Sequence, residues 1–163
     1  MIETVRLAGY LASQAILWVS QGKSLTVPLL VLEKEGSGFP QFIQLKEGTT
    51  EAGVEKAGEI LSNPPPGVVR AVLAFEAYLN LPPGKTDAIF MQACQYKPEP
   101  KQVHLAVPYR APTHPKGFAV FRPKFIAYED DCPSGDLLAA FLQATALHPE
   151  GHAVWVRHLD ESR

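Results

Sequence analysis

Cysteine is scarce in this sequence. Cys94 and Cys132 are the only two in 163 residues, and they stand far apart. Two distant cysteines make no disulfide framework, so the expectation is a pair of reduced thiols in a cytoplasmic protein. A single bridge in an exported protein is the competing reading. Charge of one sign is missing as well. Lys and Arg number 15 against 17 Asp and Glu, a net charge of −2, which gives no electrostatic case for DNA or RNA binding. Long apolar runs are lacking too. The apolar stretch 7–19 is interrupted by Ser13 and Gln14, and it is short of the roughly 20 residues that span a bilayer. Glu3 and Arg6 cancel just before it, unlike the basic start of a signal peptide. No internal repeat or low-complexity segment is present.

What is there is ordinary globular composition. Hydrophobic residues make up 46% and charged residues 20%, which separates the chain from disordered sequences. The length fits one domain, and a domain of this size buries roughly 70% of the surface of its unfolded chain. Neither metal nor disulfide is needed to hold it, and no cofactor is expected.

The pattern predicts an α+β fold in a single domain. A helix is expected over 3–21, where Val5, Ala8, Leu11, Ala12, Ala15, Trp18 and Val19 share one stripe and Leu7, Tyr10, Ile16 and Leu17 widen it. A helix apolar nearly all round is buried on most sides or meets a partner. The run 25–32 reads as a strand, with Pro28 suggesting an edge or bulge, and 41–46 as its hairpin partner. A second helix over 48–62 has Thr49 or Thr50 at its start and Val54, Ala57 and Leu61 on its inner face. Pro64-Pro65-Pro66-Gly67 stops it.

The stretch 68–96 organises the rest. It reads as two long strands about a Pro-Pro-Gly-Lys turn. With a four-residue loop, Leu79 pairs with Ala88, Ala77 with Phe90 and Phe75 with Gln92; the pairing shifts with loop length. Odd-numbered residues 69–79 form the face expected under helices. Arg70, Glu76 and Tyr78 fall on the other. Strands over 103–109 and 117–128 complete a four-stranded antiparallel meander, with Pro123 marking a bulge or edge. A third helix runs from Ser134, as N-cap, to Leu147, and the β-branched, aromatic 153–159 reads as a final strand. About three helices then pack one side of the sheet.

Several motif-like stretches fail on physical grounds. Gly84-Lys85-Thr86 is no phosphate loop: the position five before Gly84 is Leu79, and a strand follows instead of a helix. His148-Pro149-Glu150-Gly151-His152 is no zinc-protease site, since Glu is displaced and Pro and Gly are expected to prevent the helix. Asp130, Asp131, Cys132 and His158 add ligand types without a recognised spacing. Cys94 and His104 could fall on neighbouring strands, but a thiol in an apolar strand behaves as a small hydrophobe.

The candidate binding residues are Arg70, Glu76, Tyr78, Tyr109 and Arg122. A carboxylate mid-strand on a partly covered face would have a raised pKa and could act as acid or base, unless Arg70 pairs with it. Tyr109-Arg110 and Arg122-Pro123-Lys124, with His114 between, form a rim that could hold an anion. No catalytic residue is assigned. The first functional expectation is a non-enzymatic binding or interaction domain, with a homodimer or protein partner meeting the N-terminal helix or a sheet edge. The alternative is a small-molecule-binding protein or enzyme with a pocket on the Arg70/Glu76/Tyr78 face.

Overall fold

The computed structural model describes residues 1–82, 84–128 and 132–162. Pro83 of the expected turn and the carboxylates Asp130 and Asp131 lie outside the described residues. The fold is α+β, built on a mostly antiparallel sheet.

The chain opens with α1 (Ile2–Ser20), then β1 (Leu29–Lys34) and β2 (Gln41–Gln44). Next come α2 (Thr50–Ser62), β3 (Val68–Leu81), β4 (Gly84–Gln95) and β5 (Lys101–Arg110). β6 (Ala119–Phe121), β7 (Lys124–Tyr128), α3 (Ser134–Thr145), α4 (Pro149–His158) and β8 (Leu159–Asp160) complete it. Among the described residues the sheet order is β2-β1-β3-β4-β5-β6-β8, with β7 also paired to β5. Every pairing is antiparallel except β6 with β8.

Among the described residues there are four helices rather than about three; α1, α2 and α4 meet the sheet, α3 packs on α1, and both sheet faces are covered rather than one. α1 lies on the even-numbered face of β3, where Val72 and Ala74 join Val5, Leu11, Ile16, Leu105 and Phe141 in the larger core. α2 lies on the opposite face, where Ala71 and Leu73 meet Ala57 and Leu61. Over 71–74 β3 is apolar on both sides because both sides are buried there. α1 packs against α3, α4 and the sheet together, while Leu7, Tyr10, Leu17 and Trp18, which widen its apolar stripe, stay half-buried.

Close approach explains two glycines. A Cβ on Gly9 would stand 2.2 Å from the Phe141 carbonyl oxygen of α3, and one on Gly151 would stand 2.1 Å from that of Ser13 in α1. Gly151 therefore sits inside α4, against the expectation that Pro149 and Gly151 prevent a helix. Pro149 occupies the first turn, where its missing N–H costs nothing. His148 Nδ1 accepts the Gly151 N–H at 3.1 Å and caps the helix. The strand expected over 153–159 is thus helical up to His158, and only Leu159–Asp160 is extended.

Smaller corrections follow the same logic. The strand expected over 25–32 begins at Leu29, after Pro28. Ser134 is the first residue of α3, with Pro133 at the cap position and no side-chain cap. Thr49 caps α2 as expected, its hydroxyl accepting from Ala52 N–H at 3.1 Å. The strand expected over 117–128 breaks at Arg122-Pro123 into β6 and β7. The β3–β4 ladder runs to Leu81↔Gly84, so the connection is two residues shorter than expected. Leu79 pairs with Thr86, Ala77 with Ala88 and Phe75 with Phe90. A shift of two residues preserves the faces but changes every cross-strand neighbour.

Candidate functional site

The long β3–β4 hairpin determines the site. Its ladder continues past the end of β5: pairing of β4 with β5 stops at Asp87↔Tyr109, whereas β3 and β4 pair on to Leu81↔Gly84. Among the described residues, 84–86 pair with β3 beyond the end of the β4–β5 ladder. The loop 111–118 returns beside them before β6 begins.

On the α1-side face of this end, Tyr78, Asp87 and Tyr109 stand opposite one another across three strands. Glu76 lies one step inward, opposite Ile89. Glu76 is fully engaged as an acceptor. Its Oε1 takes the Tyr109 hydroxyl at 2.5 Å, and its Oε2 takes the Ser24 hydroxyl at 2.5 Å and the Leu25 N–H at 2.8 Å. The Glu76 N–H in turn reaches the Leu25 carbonyl at 3.4 Å. The side chain therefore clasps the segment between α1 and β1 onto β3, just past the last β1–β3 pair, Leu29↔Ala74.

Tyr109 is 5% exposed. Burial, then the hydrogen bond to Glu76, pushes its hydroxyl far above the ordinary phenol range. Asp87 is different. Among the described residues it has no hydrogen-bond or ion-pair partner, and burial followed by the nearby Glu76 charge raises its carboxyl above the usual range. Tyr78 is 68% exposed, with the Lys85 ammonium 5.8 Å from its ring centre.

Two cavities meet here. The smaller, about 320 Å³, is bordered by Ser24, Thr26, Glu76, Tyr78, Asp87 and Tyr109. The larger, about 580 Å³, lies between 84–87 of β4 and the 111–118 loop, with Lys85, Arg110, His114 and Lys116 on its walls. Asp87 and Tyr109 line both.

The structure brings Glu76, Tyr78 and Tyr109 together and leaves the two arginines elsewhere. Arg70 is roughly 20 Å from Glu76 along the strand, six residues at about 3.3 Å each. It pairs with Glu33 at 2.7 Å. Arg122 sits on the exposed β6–β7 connection and pairs with Glu161 at 3.0 Å. The rim expected to run from Tyr109 to Lys124 is therefore divided: Arg110 and His114 border the larger cavity, and Arg122 does not. Asp87 and Lys116 carry no motif of their own in the sequence, and Lys85 stands there only within the rejected Gly84-Lys85-Thr86 pattern. A mid-strand Asp is a signal in itself, but only the loop length places it between two tyrosines.

The other candidates are structural. Cys94 is buried and its thiol is pushed up by that burial. It lies opposite Gln102, while His104 lies opposite Gln92 and contacts Gln102 through its ring. His152 pairs with Thr145 at 2.9 Å. Among the described residues no group of three or more His, Cys, Asp or Glu could hold a metal ion, and no helix is long and apolar enough to cross a membrane. No protein family, curated protein or solved structure matches this chain.

Proposed function

We propose that the protein binds a small polar molecule at the open end of its sheet, with Asp87 as the group that exchanges a hydrogen bond or proton with it. One observation carries the reading: a carboxyl without a partner stands between two tyrosines on the wall shared by two adjoining cavities. Unpaired, partly buried carboxyls cost stability, and they concentrate where a ligand or reaction uses them. Glu76 holds the site's shape and tunes its neighbour. The free thiols, one of them buried, support a cytoplasmic setting.

Native mass spectrometry of the purified full chain tests this. The expected result is a small non-covalent adduct on the wild type that is diminished in Asp87→Asn. The reading fails if no adduct is retained and a library of small polar compounds moves no amide resonance in 84–87 or 109–116.

An interaction role has its own support at the other sheet margin. Among the described residues β7 pairs with β5 alone and Ile126 is 50% exposed, so its outer edge can take a strand from a partner or a second copy. α1 meets α3, α4 and the sheet within the chain, while its Leu7, Tyr10, Leu17 and Trp18 stay partly exposed, and that strip is the support a helix-mediated contact has. A dimer mass in the same spectrum would favour this reading, and a monomer would remove its homodimeric form.

A further inference from the structure

The walls of the larger cavity are unlike the rest of the protein. The chain carries a net charge of −2, yet Lys85, His114 and Lys116 converge here beside Arg110, which pairs with Asp160 at 3.8 Å, and Asp87 is the one carboxylate among the described lining residues. We propose that this cavity takes the phosphoryl group of a small phosphate monoester, held by Lys85, Lys116 and the Nε2–H of His114. The proposal rests on the small-molecule reading above and names the ligand class for the same site.

The loop that supplies two of these groups is built in advance. His114 N–H donates to the Ala111 carbonyl at 3.0 Å, and Gly117 N–H donates to the His114 carbonyl at 2.8 Å. The Lys116 N–H donates to His114 Nδ1 at 3.1 Å. Because Nδ1 accepts, a neutral His114 must carry its proton on Nε2, so that nitrogen is a donor in either charge state. Arg110 fastens the loop from beneath. Its Nε donates to the Gly117 carbonyl at 2.7 Å and an Nη to the Lys116 carbonyl at 3.3 Å.

That use of Arg110 bears on ligand class. The guanidinium fork that would grip a ligand's planar carboxylate in two places is spent on backbone carbonyls and on Asp160, whose carboxylate pairs with it at 3.8 Å. What faces the cavity freely is a set of point-charge donors on separate elements, β4 and the loop, which suits the several oxygens of a phosphoryl group. Among the described residues neither Lys85 nor Lys116 has a carboxylate partner. Two like charges on facing walls repel, and an oxyanion between them reverses that repulsion. The neighbouring chamber, with Tyr78, Glu76 and Ser24, has room for the organic body of the ester.

Amide NMR titrations of the full chain with inorganic phosphate, acetate and ethylammonium, at matched ionic strength, test the inference. Phosphate should shift the amides of 84–87 and 111–117 saturably, and acetate should bind more weakly. Lys85→Gln/Lys116→Gln, both exposed positions whose change leaves the spectrum's dispersion intact, should weaken phosphate at least about tenfold, as two lost charge contacts imply. Equal or tighter binding of acetate, or phosphate shifts unchanged in the double variant, overturns the phosphoryl assignment. If ethylammonium moves these amides and phosphate does not, the ligand class is wrong and the binding site stands. If no probe moves them, and the compound library also fails, both readings fall.

Discussion

Replacing Glu76 tests what the centre of the site does. Three donors converge on its carboxylate: Ser24 Oγ, Leu25 N and Tyr109 Oη. They are not equal. Ser24 is exposed and rehydrates when its acceptor is lost, so it contributes little. Leu25 is 1% exposed and Tyr109 5%, so each loses a charge-assisted bond with limited access to water, at roughly 1–2 kcal/mol apiece. Glu76→Ala should therefore cost about 2–4 kcal/mol, or roughly 5–15 °C in melting temperature for a chain of this size. Tyr109→Phe alone should cost about 1–2 kcal/mol. In the Glu76→Ala background it should cost almost nothing, because the hydroxyl it removes has already lost its partner. Urea denaturation of the two single variants and the double variant gives a coupling of about 1–2 kcal/mol on this account. If Tyr109→Phe costs the same in both backgrounds to within about 0.5 kcal/mol, the clasp is not a stabilising unit and Glu76 must be explained otherwise.

Two further outcomes follow from the same geometry. Gly9→Ala drives a methyl into the Phe141 carbonyl and should destabilise by about 1–3 kcal/mol. Gly58→Ala in α2 meets nothing within 4 Å and should stabilise by up to about 1 kcal/mol; thermal melts that give the two the same sign would refute the packing argument. The raised carboxyl of Asp87 means its charged form opposes folding, so stability is lost as pH climbs from below about 3.9 through the folded-state value. Asp87→Asn should be more stable than wild type at pH 7, with the gain vanishing in acid where both side chains are neutral. Denaturation midpoints across pH 3–7 decide it, and a gain that persists at the acid end contradicts the assignment.

How much of this was legible in the sequence depends on range. α1, α2 with its Thr49 cap, and the β3–β4 hairpin are specified by neighbours, and their periodicity is enough to find them. α4 is not. Its β-branched and aromatic residues favour a strand, and the Gly at its start is there because Ser13, over a hundred residues away, leaves no room for a side chain. The covering of both sheet faces was equally hidden, since β3 is apolar on each side over 71–74 and nothing local says which helix goes where. At the site, Glu76, Tyr78 and Tyr109 follow from alternation along strands. Asp87 depends on register, which a two-residue change in loop length decides. Arg70 and Arg122 stood out as cations, but their partners Glu33 and Glu161 come from distant segments.

The placement of α1 also bears on how the chain is made. α1 is synthesised before α3 and α4, which bury much of it in contacts that Gly9 and Gly151 permit. Translation from Ser20 to Ser134 takes roughly 6–23 s at ordinary ribosomal speeds of about 5–20 residues per second. Through that interval the side of α1 bearing Gly9 and Ser13 has no native cover, although the β3–β4 hairpin can already have paired. The docking of α3 and α4 onto α1 therefore comes only after β3 and β4 have been made.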